Sequence, residues 1–388
     1  MPFDATAWKS LIIKGTFPTA RFFSFATYVA QGSVVDSIND VAIDPRVGST
    51  NPFRPGPDAE LHKYTITISR DPAEPGETNH VMLGDTPLAW IIYRIYLPDQ
   101  GLNRKAGVAL PKVILVAQDG SRHPVPQCPF TKPSVQLSFM LAELRAAGFG
   151  TDADSTQTKF SEGDPGGLPT DETCQPQDQV VFWIPQNTGG LFPNPANKYI
   201  AAPGLCFDSG KVVVVRGRAA VFPDTYDGGA IWEPAMPGKI RMRYWSLCNN
   251  DQITPFPVVS CQPDATTNLD LDGYYTYVLG EGDTAPTSLP SKATWVPWGL
   301  KDQPNILILR NMLPKMTFDK SIQTAIAAGC VVDNQSGVTP PRDEVVAAGE
   351  CAQQVMQEYY PRAVFCDKQR LLDQGWNACF AAAGVPAR

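Results

Sequence analysis

The chain has 388 residues, of which 43% are hydrophobic and 18% charged, with a formal net charge of −7. That is enough length for two ordinary domains or one large β domain, and too apolar a composition for a disordered chain. The acidic balance argues against a nucleic-acid-binding protein, which would carry a basic face.

No run of 18 apolar residues occurs, so no transmembrane helix is expected. Met1–Phe17 lacks the apolar core of an intact signal peptide, so an exported form would begin, in this numbering, after its signal was removed. Pro (37) and Gly (31) are spread between apolar runs, a pattern that suits many short strands joined by turns.

In chain order, the strand-like runs of the first half are Arg21–Tyr28, Tyr64–Ser69, Trp90–Leu97 and Lys112–Ala117. Those of the second half are Val180–Ile184, Lys211–Val215, Ile240–Cys248, Tyr274–Leu279 and Ile306–Leu309. All are rich in β-branched and aromatic residues and are bounded by Pro, Gly, Asn or Asp. Helical pattern is sparse. Leu137, Leu141 and Leu144 share one face of Ser134–Ala147, which Gly148 would stop. The tail predicts one helix over Val345–Met356 and a second over Asp367–Phe380, separated by Pro361. The polar stretch 151–178 reads as a long loop and the boundary between two halves.

Three short patterns recur in the same order. Arg21-Phe-Phe-Ser24, Tyr64-Thr65 and Arg94 (four before Pro98) are matched by Arg243-Tyr-Trp-Ser246, Tyr275-Thr276 and Arg310 (four before Pro314). A duplicated β unit accounts for this, although strands draw on few residue types. Alternation places Arg94 on one face with Ile92 and Tyr96, and Arg310 with Ile306, Ile308 and Met312. A guanidinium among apolar neighbours is paired, stacked on an aromatic ring, or open to a ligand pocket.

The nine Cys stand at 128, 174, 206, 248, 261, 330, 351, 366 and 379. No Cys-x-x-Cys occurs, which excludes zinc-ribbon and thioredoxin readings. Their concentration in the second half reads as disulfides formed in an oxidising compartment, against the alternative of buried free thiols. Cys330, Cys351, Cys366 and Cys379 would staple the helical tail, with pairings that sequence cannot decide.

The words GRAAVFPDT (217–225), IRMRYWSLCNND (240–251), NLDLDGYYTYV (268–278), TWVPWG (294–299) and ILILRNMLP (306–314) resemble a family of exported bacterial proteins of unknown function. The same stretch is similar to the β-sandwich module called domain of unknown function 1214. ARFFSFATY (20–28), GSTNPF (48–53) and YRIYLP (93–98) extend the likeness into the first half. The resemblance implies export and a Cys248–Cys261 bridge. It brings no established activity and no catalytic residues.

Asn268, Asp270 and Asp272, with Gly273, imitate the start of a calcium loop. Leu279 stands where the bidentate Glu belongs, so calcium is a weak candidate and no cofactor is otherwise implied. There is no nucleophile elbow, P-loop or dinucleotide fingerprint. With three His (62, 80 and 123), none at i, i+4 spacing, neither a His-rich metal site nor a local Ser–His–Asp triad is favoured.

Aromatic residues are the more suggestive group. The ligand-binding candidates are Arg94, Tyr96, Arg243, Trp245, Asn249, Tyr275, Trp298 and Arg310. Trp298, in a Pro-Trp-Gly loop, is expected to be the most exposed of them, and Asn249, Asn250 and Asp251 end a strand where a site could sit.

The expected architecture is mainly β. A first β-sandwich unit with a trailing helix spans 1–150, a second β-sandwich or jelly-roll-like unit spans 151–330, and a helical, Cys-bearing tail spans 331–388. The expected function is an exported protein, secreted, periplasmic or at the cell surface, that binds a glycan, an apolar small molecule or an envelope component. Two alternatives remain open: a secreted hydrolase or lyase using Arg, Tyr and carboxylates in a cleft between the units, and a self-assembling surface protein. Oligomeric state is not legible.

Overall fold

Alternating side chains set the architecture. In Lys63–Ser69, Tyr64, Ile66 and Ile68 are fully buried while Thr65 and Thr67 between them are half-buried, the signature of a strand with one face on a core. The computed structural model describes residues 2–29, 32–57, 59–126, 174–175, 180–186, 192–231, 239–253, 256–334 and 340–387. The helix expected over Ser134–Ala147, Cys128, and nearly all of the loop 151–178 lie outside the described residues.

Two compact units emerge. The first draws on Met1–Thr158 but also takes in Leu191–Pro195 and Thr225–Trp232. The second draws on Lys159–Gly190, Ala196–Asp224 and Glu233–Arg388.

The first unit holds strands β1 (Pro2–Asp4), β2 (Ser10–Thr16), β3 (Ala20–Val29), β4 (Val34–Asn39), β5 (Lys63–Ser69), β6 (His80–Met82), β7 (Leu88–Pro98), β8 (Lys112–Val116) and β9 (Arg122–Pro124). They form two sheets in the orders β1-β7-β3-β4 and β6-β5-β2-β8-β9. Leu11, Ile13, Phe23, Phe25, Ile66 and Ile91 fill the core of this sandwich.

The second unit holds β10 (Asn197–Leu205), β11 (Lys211–Arg218), β12 (Met242–Asp251), β13 (Val258–Pro263), β14 (Tyr274–Gly280), β15 (Ala293–Pro297), β16 (Asn305–Pro314) and β17 (Arg362–Asp367). Its sheets run β10-β16-β12-β13 and β15-β14-β11-β17.

The strand orders of the two units correspond, apart from the extra β9, and so do their registers. Ser24 faces Arg94 across β3 and β7, as Ser246 faces Arg310 across β12 and β16. Gly15 faces Tyr64 as Gly217 faces Tyr275. In each unit one pair is parallel, β5 with β6 and β14 with β15. A register shift falls after Thr27 in one unit and after Asn249 in the other.

Two details beyond the sequence words also repeat. Leu97 and Leu313, each preceding the Pro that ends its strand, both take a left-handed backbone, at φ 48° and 45°. Buried Asp40 accepts the backbone N–H groups of Phe23 and Val41, and buried Asp264 accepts those of Trp245 and Ala265.

The run Val212–Val215 is apolar without alternation because β11 is covered on both faces. Val213 and Val215 join the sandwich core, while Val212 and Val214 meet Leu371, Cys379 and Phe380 of two short C-terminal helices, Lys368–Gln374 and Trp376–Ala382. The tail differs from its sequence reading in two respects. Arg362–Asp367 is a strand paired with β11, and the helix expected over Asp367–Phe380 is broken at Gly375 (φ 76°). Val180–Ile184 is not a regular strand but makes isolated bridges, including Trp183 to Ala201. Four disulfides, Cys174–Cys206, Cys248–Cys261, Cys330–Cys351 and Cys366–Cys379, lie in the second unit.

Candidate functional site

The first unit contains a cavity of about 240 Å³ at the mouth of its sandwich. Phe17, Pro18, Pro52 and Phe53 give its lining apolar surface. Phe17 and Phe53 are nearly fully buried, with ring centres 6.2 Å apart. Gly229, Ala230 and Ile231 also line it, carried by the segment that enters this unit from the second half of the sequence. His62, Asp99 and Thr225 supply polar groups.

Local chain geometry explains why these residues meet. The left-handed Leu97 and the following Pro98 turn the chain out of β7, and the Asp99 N–H then donates to the Thr19 carbonyl. The Phe17 N–H donates to the His62 carbonyl, which joins the exit of β2 to the entry of β5. The segment at 225–231 is pinned twice. Arg21, wholly buried, donates from Nε to the Thr225 hydroxyl at 2.6 Å, and the Gln100 N–H donates to the Tyr226 carbonyl at 2.9 Å.

Electrostatically the site is a compensated pair. Burial raises the Asp99 carboxyl above its ordinary pKa, and the positive charge of Arg21 partly offsets this. Asp99 Oδ1 is buried and has no hydrogen-bond partner among the described residues. A buried acceptor of that kind is costly until a donor reaches it. The His62 ring nitrogen Nδ1 lies 3.3 Å from the Thr50 hydroxyl.

The second unit has a counterpart, lined by Arg218, Ala220, Met242, Trp245, Tyr275 and Phe318 among others. By strand register Ala220 and Met242 correspond to Pro18 and Ala20, so the two spaces abut the same corner of their sandwiches. Here only about 20 Å³ is open. Trp245 stands where the first unit has Phe23, and its indole N–H donates to the Ala220 carbonyl at 2.9 Å.

The candidates singled out from sequence fall in several places. Trp245 and Tyr275 line the small space, with ring centres 5.4 Å apart. Arg94 donates to the Tyr28 hydroxyl (2.6 Å) and the Phe192 carbonyl (2.5 Å), and so ties the segment at 192–195 to its own unit. Tyr96 packs edge-on against Phe22. Arg310 donates to Cys248 Sγ and lies over the Tyr199 ring, while Arg243 is half-buried on β12.

Asn249 donates to the Pro297 carbonyl and to Asn305 Oδ1, and Asp251 accepts the Leu300 N–H. These bonds fold the Pro-Trp-Gly loop inward. Trp298 is therefore buried against Phe207, not exposed as its loop position suggested.

At the calcium-like turn, Asp270 pairs with Arg216 and accepts the N–H groups of Asp272 and Tyr274, so its oxygens already have donors. Among the described residues no group of three or more His, Cys, Asp or Glu is arranged to hold a metal ion.

Sequence reasoning did not find Phe17, Phe53, Asp99 or Thr225 as partners. They are scattered over 200 positions, and only the repeated Pro after Leu97 and Leu313 hinted at a special turn.

No family model matches the chain, and no curated protein matches it. Among solved structures, an uncharacterized protein from Burkholderia cenocepacia is similar, with a TM-score of 0.50 and 12% identity over 94% of this chain and 74% of its own. A protein from Vibrio parahaemolyticus covers 87% of this chain and 86% of its own at 14% identity, with a TM-score of 0.41. The first shares the fold, and neither carries an assigned function. No helix among the described residues is long and apolar enough to cross a membrane.

Proposed function

We propose that this protein is an exported, non-catalytic binding protein and that its ligand is a small molecule held in the cavity of the first unit. The carrying observation is the cavity itself. About 240 Å³ of space is walled by two buried Phe rings and two Pro, with a few convergent polar groups. That is the composition of a ligand site, slightly below the size range of drug-sized pockets.

Export to the periplasm, the cell surface or the medium is supported by the four disulfides, which persist in oxidising compartments. The likeness to the domain of unknown function 1214 belongs to the same proposal, as does a duplication of one β unit. Support for duplication comes from the matching strand order, the Gly–Tyr and Ser–Arg pairs and the left-handed Leu before Pro. The division into a first unit over 1–150, a second over 151–330 and a tail over 331–388 belongs to the same proposal.

The test is a small-molecule library screened by ligand-observed NMR against the wild-type chain and Ile231→Trp, which fills the cavity. Binding by the wild type that is lost in a folded Ile231→Trp supports the reading. Binding unchanged by that substitution, or no binding at all, refutes it.

A secreted enzyme is the second reading, favoured by the raised pKa of Asp99 beside Arg21 in a cavity. It requires turnover of a bound compound that Asp99→Asn abolishes while binding persists.

A further inference from the structure

We propose that the occupant of the first unit's cavity is a single neutral sugar ring; this rests on the small-molecule reading above. Three properties of the cavity converge on that chemistry.

The first is its mixed lining. Phe17, Pro18, Pro52 and Phe53 offer apolar surface, while His62, Asp99 and Thr225 offer polar groups. A pyranose is likewise mixed, with C–H bonds on its faces and hydroxyls at its rim. C–H groups lie well on aromatic rings, and hydroxyls both donate and accept hydrogen bonds.

The second is the acceptor that Asp99 brings to the lining. A ligand O–H can donate to an exposed carboxylate oxygen there in a charge-assisted bond. An apolar guest of the same size would fill the space without such a bond.

The third is charge. Arg21, buried beneath the segment at 225–231, acts electrostatically on Asp99, so the acidic and basic groups of the site compensate each other. An ammonium drawn to Asp99 would meet the field of Arg21, and a carboxylate drawn to Arg21 would meet Asp99. Net charge on the ligand is therefore disfavoured in either sign. The volume also suits one ring, since it falls below the range of pockets that bury larger ligands.

The second unit sharpens the assignment. At the equivalent corner Trp245 and Met242 stand where the first unit has Phe23 and Ala20, and the opening falls to about 20 Å³. By register Lys315 takes the place of Asp99. The carboxylate and the space are absent together, so one sugar site per chain is expected.

The experiment uses the full chain with selectively labelled Ile, Thr and Ala methyls. Methyl glucoside and methyl galactoside are the neutral probes, glucosamine and glucuronate the cationic and anionic ones, and benzyl alcohol the apolar one. At least one neutral glycoside should shift the Thr225 and Ile231 methyls and bind at least about tenfold more tightly than the charged sugars. Phe53→Ala and Asp99→Ala, each shown by circular dichroism to be folded, should weaken it by a similar factor. The wild-type comparison stands whether or not these variants fold. If glucosamine, glucuronate or benzyl alcohol binds more tightly at the same methyls, the sugar assignment falls and the small-molecule reading stands. If no library compound or probe perturbs the cavity methyls, both fall.

Discussion

Gly217→Ala tests the cross-strand contact on which both sandwiches are built. Gly217 faces Tyr275, and the phenol ring lies over the glycine. A Cβ at Gly217 would stand 2.4 Å from Tyr275 Oη, 2.8 Å from Cζ and 3.3 Å from the Tyr360 carbonyl. Comfortable contact begins near 3.5 Å, so the ring must retreat by about 1 Å. It has little room, because the Trp245 and Tyr277 rings lie 5.4 and 5.1 Å away, centre to centre.

The backbone at Gly217 is not left-handed, so alanine meets no conformational penalty and recovers about 0.4–1 kcal/mol through the unfolded chain. Overpacking outweighs this, for an expected loss of about 2 kcal/mol and a fall in Tm of roughly 4–8 °C. Urea unfolding followed by tryptophan fluorescence reads the loss. In a Tyr275→Leu background the same substitution should cost less than about 0.5 kcal/mol, since the ring it strikes is gone. Equal cost in both backgrounds would refute the reasoning. Gly15→Ala, whose Cβ would stand 2.3 Å from Tyr64 Oη, should behave alike in the first unit.

Four further outcomes are expected. Burial opposes ionisation of Asp270, but bonds from Arg216 and from the Tyr274 and Asp272 N–H groups outweigh it and hold its pKa below 3.8. A depressed native pKa gives stability that is full above the unfolded value and lost as pH falls through the native one. The urea midpoint should therefore drop below about pH 4, and Asp270→Asn should flatten that drop; a midpoint that rises on acidification contradicts it. Asp99, whose pKa is raised, has the opposite sign: its contribution is full below 3.8 and disappears as pH rises through the native value.

Replacing both Cys174 and Cys206 by Ser opens a link across 32 positions and should cost about 3–4 kcal/mol by loop-closure entropy, read as a lower urea midpoint; no change there would show the link to be idle. Trp245→Ala removes a buried ring and its bond to Ala220, and should cost about 3–5 kcal/mol in chemical denaturation while enlarging the second unit's cavity. A crystal structure of the variant with the space refilled would refute the second part.

Much of the fold was legible because its causes are local. Alternation in Lys63–Ser69, the unbroken apolar run at Val212–Val215 and the recurring Arg–Phe–Phe–Ser and Arg–Tyr–Trp–Ser words follow from strand geometry, which any stretch of sequence displays by itself. The strand at Arg362–Asp367 was missed because a short apolar run between two helical patterns does not announce its partner. Only pairing with β11 makes it a strand.

The fate of individual side chains was a tertiary matter. Trp298 reads as an exposed loop residue until Asn249, Asp251 and Asn305 fold its loop inward. Sequence by itself determined the β class, the recurring words, the concentration of Cys in the second half and the lack of standard catalytic motifs. Tertiary structure decided that Thr225 and Gly229–Ile231 join Phe17 and Asp99 around one cavity of the first sandwich, and that one of two equivalent corners is open while the other is filled by Trp245. The physical reason is that strand patterning depends on neighbours two residues apart, whereas a cavity is a difference in volume among residues more than 200 positions apart, which no local pattern records.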